Sequence, residues 1–316
     1  MPERNLAAAV AWRTYAVGSG AASTTVPLMV GSVGGGGKVA LIAAGVHGDE
    51  GPWGALAISK LLDNVRADRL IGTIRVLPVA NPLAMQQNAR CAPLDQLDLN
   101  RCFPGNPDGS HTEMLADTIT RHALDGADLV IDLHGGGSWA VNAFAFRFEG
   151  SEPIAAAIGA PLIVDHGYRD LGQVSLTTQA RARGAQVGAV EMGGHSQWEG
   201  EWAVRIAQGV ERALVHAGVL APAADLPAAP ASIHVKPPQV LRPKQGGIFH
   251  PAVGAQAVGT IVSQGTVLGE LRHPVTNETL EVFTAPFGRT ALMLLRPMLC
   301  VLEAGAMTYV VAEADL

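Results

Sequence analysis

The chain has 316 residues, 48% hydrophobic and only 16% charged, which excludes global disorder and provides for one large core or a main domain with a smaller partner. Twenty-two basic and 28 acidic side chains give a net charge of −6, with four lysines and no basic run, so no nucleic-acid partner is expected. No apolar stretch reaches the roughly 20 residues that span a bilayer, so no membrane partner is expected either.

Glycines 34–37 precede the apolar run Val39 to Val46, which reads as a buried strand. Pro52 then suits the first turn of a helix, and Trp53, Leu56, Ala57, Leu61 and Leu62 continue at helical spacing. A second strand, Thr73 to Val79, runs into Asn81-Pro82, where proline diverts the backbone. Ser110 and Glu113 have capping-box spacing and open a helix expected to reach about Asp125. Leu129 to Leu133 is a third strand, ending at His134 and three glycines. Leu162 to Asp165 and Val187 to Met192 read as further short strands, and Trp202 to Ala217 as an amphipathic helix. Such alternation predicts an α/β fold, a mostly parallel or mixed sheet flanked by helices.

Six prolines between Gly218 and Pro243 mark a linker, and glycine-rich, β-rich sequence follows it. The expected division is an α/β domain over 1–220, a Pro/Ala-rich linker over 221–240 and an all-β C-terminal module over 241–316. The module's expected task is packing, or narrowing the mouth of a site, and a homo-oligomer is left open. Three cysteines without a CxxC pair, and an N-terminus with no long apolar core, fit a reduced, cytoplasmic setting.

Sheets of this kind place chemistry beyond the carboxyl ends of their strands, where His47, Asn81, His134 and Glu191 fall. His47 and Glu50, three residues apart in Gly45-Val46-His47-Gly48-Asp49-Glu50, suit one metal ion, although a surface loop beginning a helix would look the same. His134 in Asp132-Leu133-His134-Gly135 offers a third ligand, and two histidines with one glutamate and an open fourth position make a catalytic zinc arrangement. Asp98-Leu99-Asn100-Arg101, fenced by Phe103, Pro104 and Gly105, suits a fixed loop presenting Asn100 and Arg101 to an anion; a surface turn is the plainer alternative. Arg90 enters from the loop after Asn81-Pro82. Glu191 ends an apolar strand, which is costly without a task or a partner; it reads as a general base or as half of a buried ion pair. His166 and His195 are near enough in sequence to reach a substrate, while the remaining histidines read as packed or solvated.

In order and spacing, His47-x-x-Glu50, Asn81-Pro82 with Arg90, Asp98-Leu99-Asn100-Arg101, Asp132-Leu133-His134 and Glu191-x-Gly193 resemble the aspartoacylase/succinylglutamate desuccinylase family of the zinc carboxypeptidase superfamily. The resemblance covers about residues 38–215, and the longer Asp98-to-Gly105 string leans toward deacetylases of N-acetylated diamino acids. It implies one Zn2+ per chain on His47, Glu50 and His134, with Asp98 orienting the first histidine. Arg90 would polarise the scissile carbonyl, Asn100, Arg101 and Arg181 would hold the substrate carboxylate, and Glu191 would activate the water on the metal. The implied activity is hydrolysis of the amide of an N-acylated amino acid, a small-molecule substrate. A metallocarboxypeptidase acting on short peptides and a non-catalytic ligand-binding protein are the alternatives. Tyr15, Tyr168 and Tyr309 match no tyrosine pattern of the family.

Overall fold

A computed structural model describes residues 5–18, 24–165, 174–194 and 199–315. Its first eight strands are β1 (Ala11–Val17), β2 (Val26–Gly34), β3 (Val39–Ala44), β4 (Thr73–Leu77), β5 (Leu129–His134), β6 (Val141–Arg147), β7 (Leu162–Asp165) and β8 (Gln186–Gly194). The helices are α1 (Gly51–Asn64), α2 (Pro82–Gln86), α3 (His111–Ile119), α4 (Glu152–Ile158), α5 (Leu176–Ala182) and α6 (Glu199–His216). Across the sheet the order is β1-β2-β4-β3-β5-β8-β6, continued by strands 289–295, 309–313 and 239–241.

The middle of this sheet, β4-β3-β5-β8, is parallel, and its strands are buried on both faces. Alternate side chains therefore serve two cores. Ala40, Ile42, Ile131 and Leu133 meet α1, α4 and α6 through Ile58, Leu61, Ile154 and Val210. Leu41, Ala43 and Val130 meet α3 and α5 through Leu115, Ile119, Leu176 and Ala180. The outcome is the α/β architecture read from the sequence: a large mixed sheet between helical layers, with a smaller antiparallel C-terminal sheet. That second sheet joins strands 279–284, 267–272, 247–251 and 300–302.

The connection between the two parts is closer than sequence alone conveys. Strand 289–295 hydrogen-bonds to β6, pairing Leu294 with Asn142 and Leu295 with Val141. Within 221–240, Ile233–Val235 pairs with β7 and Gln239–Leu241 with strand 309–313.

Several elements carry no clear signal in the sequence. Strands β1 and β2 form an antiparallel edge, and α2, α4 and α5 are only five to seven residues long. The helix opened by Ser110, whose N–H donates to Glu113 at 2.8 Å, holds α-helical form only to Ile119 and closes in a wider π turn over Thr120–Leu124. No helix among the described residues is long and apolar enough to cross a membrane.

Candidate metal centre

His134 is the last residue of β5, and β3 ends three residues before His47. These parallel neighbours deliver both imidazoles to one end of the sheet. Glu50 enters from the short turn Gly48–Glu50 that leads into α1. His47, Glu50 and His134 are buried, at 4%, 7% and 5% exposure, and their candidate ligand atoms all lie within 4.8 Å of one another.

The orientation of the rings is specific. His47 Nδ1 lies 2.9 Å from Glu50 Oε1, and His134 Nδ1 lies 2.9 Å from Glu50 Oε2. The opposite nitrogens are occupied: His47 Nε2 is 3.1 Å from Asp98 Oδ1, and His134 Nε2 is 2.9 Å from Asp132 Oδ2. A carboxylate on Nε2 holds the proton there and turns the Nδ1 lone pair inward, the arrangement that supports a metal-ligating imidazole.

Charge supports the same reading. Four carboxylates (Glu50, Asp98, Asp132 and Glu191) surround the two imidazoles, and Arg90 is a cation beside them. Burial opposes charge on His47, but its bonds to Asp98 and Glu50 outweigh that and raise its pKa. His134 is raised further: Asp132 and Glu50 overcome the burial that opposes its charge. Burial would lift the Glu50 carboxyl, yet the bonds from His134 and His47 hold it far below the usual carboxylate range. The cluster favours positive charge at its centre, so its donor set fits a divalent cation.

These side chains open on a pocket of about 310 Å³. Glu191 lines it, from β8, paired in register with His134 of β5. It is partly open to the pocket, yet burial pushes its carboxyl up to about 7, with Glu50 reinforcing the effect. Arg90, Asn100 and Arg101 also line the pocket. Arg90 donates to Asp98 Oδ2 at 2.8 Å and reaches within 3.4 Å of Glu50 Oε1. Asn100 accepts from the Leu176 N–H at 3.0 Å, tying the Asp98 loop to α5. The Arg101 guanidinium bonds the Asn100 carbonyl at 2.8 Å. Arg181 is not on the lining; its guanidinium lies 5.6 Å over the ring of Phe148, which is.

Asn81 is fully buried and outside the pocket, and its side chain caps α2 by accepting from the Ala84 N–H at 3.3 Å. Gly48 rests on that same helix: a Cβ there would sit 2.0 Å from the Ala84 carbonyl carbon. The Asn81-Pro82 motif thus shapes the floor under His47 and Glu50. Replacing Gly48 by Ala should lower stability by roughly 1–3 kcal/mol and weaken metal binding, read by denaturant unfolding and metal titration. Wild-type values in both would contradict this packing.

Residues 36–217 match the catalytic domain of the succinylglutamate desuccinylase/aspartoacylase family. The chain belongs to that family. It is 31% identical over 250 residues, 74% of this chain and 70% of the relative, to the N-alpha-acetyl-L-2,4-diaminobutyric acid deacetylase of Halomonas elongata. A solved succinylglutamate desuccinylase/aspartoacylase from Rhodobacter sphaeroides is 27% identical, with a TM-score of 0.81 over 97% of this chain and 95% of that one. A succinylglutamate desuccinylase from a Silicibacter species shares the fold, with a TM-score of 0.83 at 23% identity and the same shares of the two chains.

In this member of the family, Asp132 and Asn142 hold places the sequence leaves unassigned, Asp132 being visible there only as part of the motif with His134. Asp132 stands two residues before His134, on the same face of β5. Asn142 is an amide within an apolar run on β6. Ser175 and Thr177 of the α5 start, and Leu294 and Met307 from the C-terminal part, also line the pocket. Tyr309 is buried, its hydroxyl donating to the Leu268 carbonyl at 3.0 Å, and Tyr15 stacks on His122; neither reaches the pocket. His166, Tyr168 and His195 lie outside the described residues.

Proposed function

We propose that this protein is a zinc-dependent amidohydrolase that releases the acyl group from an N-acylated amino acid. The observation that carries the reading is the convergence of His47, Glu50 and His134 on one point beside Glu191. The Halomonas relative acts on an acetylated diamino acid, which favours a small acyl group here. Nitrogen-rich His-His-Glu sets suit Zn2+ better than Mg2+ or Ca2+. Bound on these three residues, Zn2+ would supply Lewis acidity, easing deprotonation of water and polarising the amide carbonyl.

The chain's own groups do the rest. Glu191 takes a proton from water as its oxygen bonds to the amide carbon, then returns that proton to the nitrogen as the C–N bond breaks. A free carboxylic acid and a free amine result. Arg90 stabilises the developing oxyanion from the edge of the cluster. Asn100 and Arg101 dock the α-carboxylate and so orient the amide. The three free cysteines suit a reducing cytoplasm.

The deciding experiment screens N-acetyl, N-succinyl and N-formyl amino acids beside dipeptides, with metal content measured on the same sample. Turnover of acylated amino acids supports the proposal; cleavage of dipeptides alone would favour a carboxypeptidase.

The base assignment also fixes a pH dependence. A base must be deprotonated, so raising its pKa moves the loss of activity to higher pH. Burial moves Glu191 from 4.5 to about 7, and a bound cation opposes that shift. The acid limb of kcat/KM should therefore fall between these two values. A rate unchanged from pH 7 down to 4.5, with metal still bound, would remove Glu191 from this role.

A further inference from the structure

We infer that Asn142 is a positioning residue for Glu191, fixing one carboxylate oxygen so that the other handles the proton. The inference rests on the hydrolytic reading above.

Asn142 Nδ2 donates to Glu191 Oε2 at 2.7 Å. The two residues belong to antiparallel neighbours, with Phe144 opposite Glu191 and Asn142 opposite Gly193. Asn142 and Phe144 share one face of β6, which places the amide diagonally across from the carboxylate. On the other flank, Asn142 is paired with Leu294 of strand 289–295. The amide is thus fixed between two strands of one sheet, and its backbone cannot drift with a loop.

Apart from Glu191, nothing calls for an amide here. Asn142 is 3% exposed on a strand whose neighbouring positions 141, 143 and 144 are apolar, and its Oδ1 has no hydrogen-bond partner among the described residues. A buried polar atom without a partner is destabilising, and an apolar side chain of similar shape would avoid it. Turning the amide over would set its oxygen against the carboxylate oxygen, so the donor end must face Glu191. One carboxylate oxygen is held by Asn142, and the other is left to work toward the pocket that both residues line.

The test compares Asn142→Leu, Asn142→Asp and Glu191→Gln with the double variant Asn142→Leu/Glu191→Gln. Each is assayed with the N-acetyl amino acid that the unmodified protein hydrolyses fastest. Asn142→Leu should lower kcat by roughly 10- to 100-fold, the scale of a misplaced catalytic group, with thermal midpoint and metal content held. KM should change by less than about threefold, since the contact is not to substrate. Asn142→Asp keeps the shape and should show the same loss, which covers any folding defect of the leucine variant. In the Glu191→Gln background, Asn142→Leu should cause no further loss, because its effect passes through Glu191.

Unchanged kcat in both single variants, or losses that multiply in the double variant, would overturn the inference. Full turnover by Glu191→Gln, or no hydrolysis of any N-acyl amino acid by the unmodified protein, would instead overturn the proposed function itself.

Discussion

Replacing Glu191 by Gln should lower kcat by about 10²- to 10⁴-fold, the usual contribution of a positioned general base, while leaving the bound metal in place. Glu191 makes no hydrogen bond to His47, Glu50 or His134 among the described residues, so the cluster does not depend on it for its shape. Glutamine keeps the length of the side chain but loses the charge and the proton-accepting oxygen. The diagnostic pattern is a collapse of kcat and kcat/KM together with undiminished metal content. Substantial turnover with metal bound would return Glu191 to the status of a buried polar residue.

The second large effect concerns Glu50. Both imidazoles meet this one carboxylate, and Oε2 also accepts the Gly135 N–H at 3.2 Å. Glu50→Gln removes the charge and offers an N–H donor where lone pairs converge. Metal content should fall from about one ion per chain to near zero at micromolar metal, and hydrolysis should disappear with it. Chelation of the unmodified protein should also lower its thermal midpoint, since an ion held at 100 times its Kd contributes about 2.7 kcal/mol. A Glu50→Gln protein that retains stoichiometric metal would disprove the ligand set. Measuring metal by elemental analysis and stability by calorimetry separates a lost ligand from a lost fold.

Much of this site is legible because its residues sit in short stretches at fixed points of the α/β pattern. His47 follows a buried strand, His134 ends another, and Glu191 stands opposite His134 within β8, so the sheet itself brings them together. Asp98 is readable only through the motif, and its bonds to both His47 and Arg90 depend on a loop fold that no periodicity reveals. Asp132 lies in plain view beside His134, but its task follows from strand alternation, which aims residues i and i+2 the same way. Asn142 is hidden for another reason. Strand β6 is buried on both faces over 141–145, so its sequence lacks the apolar–polar alternation that marks a strand. The place of strand 289–295 beside β6 is a long-range pairing, and its register is fixed by packing rather than by local sequence.

That pairing restricts how the protein can vary. Leu294 reaches the pocket from the strand that meets β6, Met307 from the segment just before strand 309–313, and Arg296 stacks 4.1 Å over the ring of Trp139 at the same opening. A chimaera that swaps the last quarter of this polypeptide for a cousin's would therefore also swap part of the wall of this chamber. Substrate preference in such hybrids should follow both parents, and the seam must preserve the ladder along β6 to preserve any chamber at all.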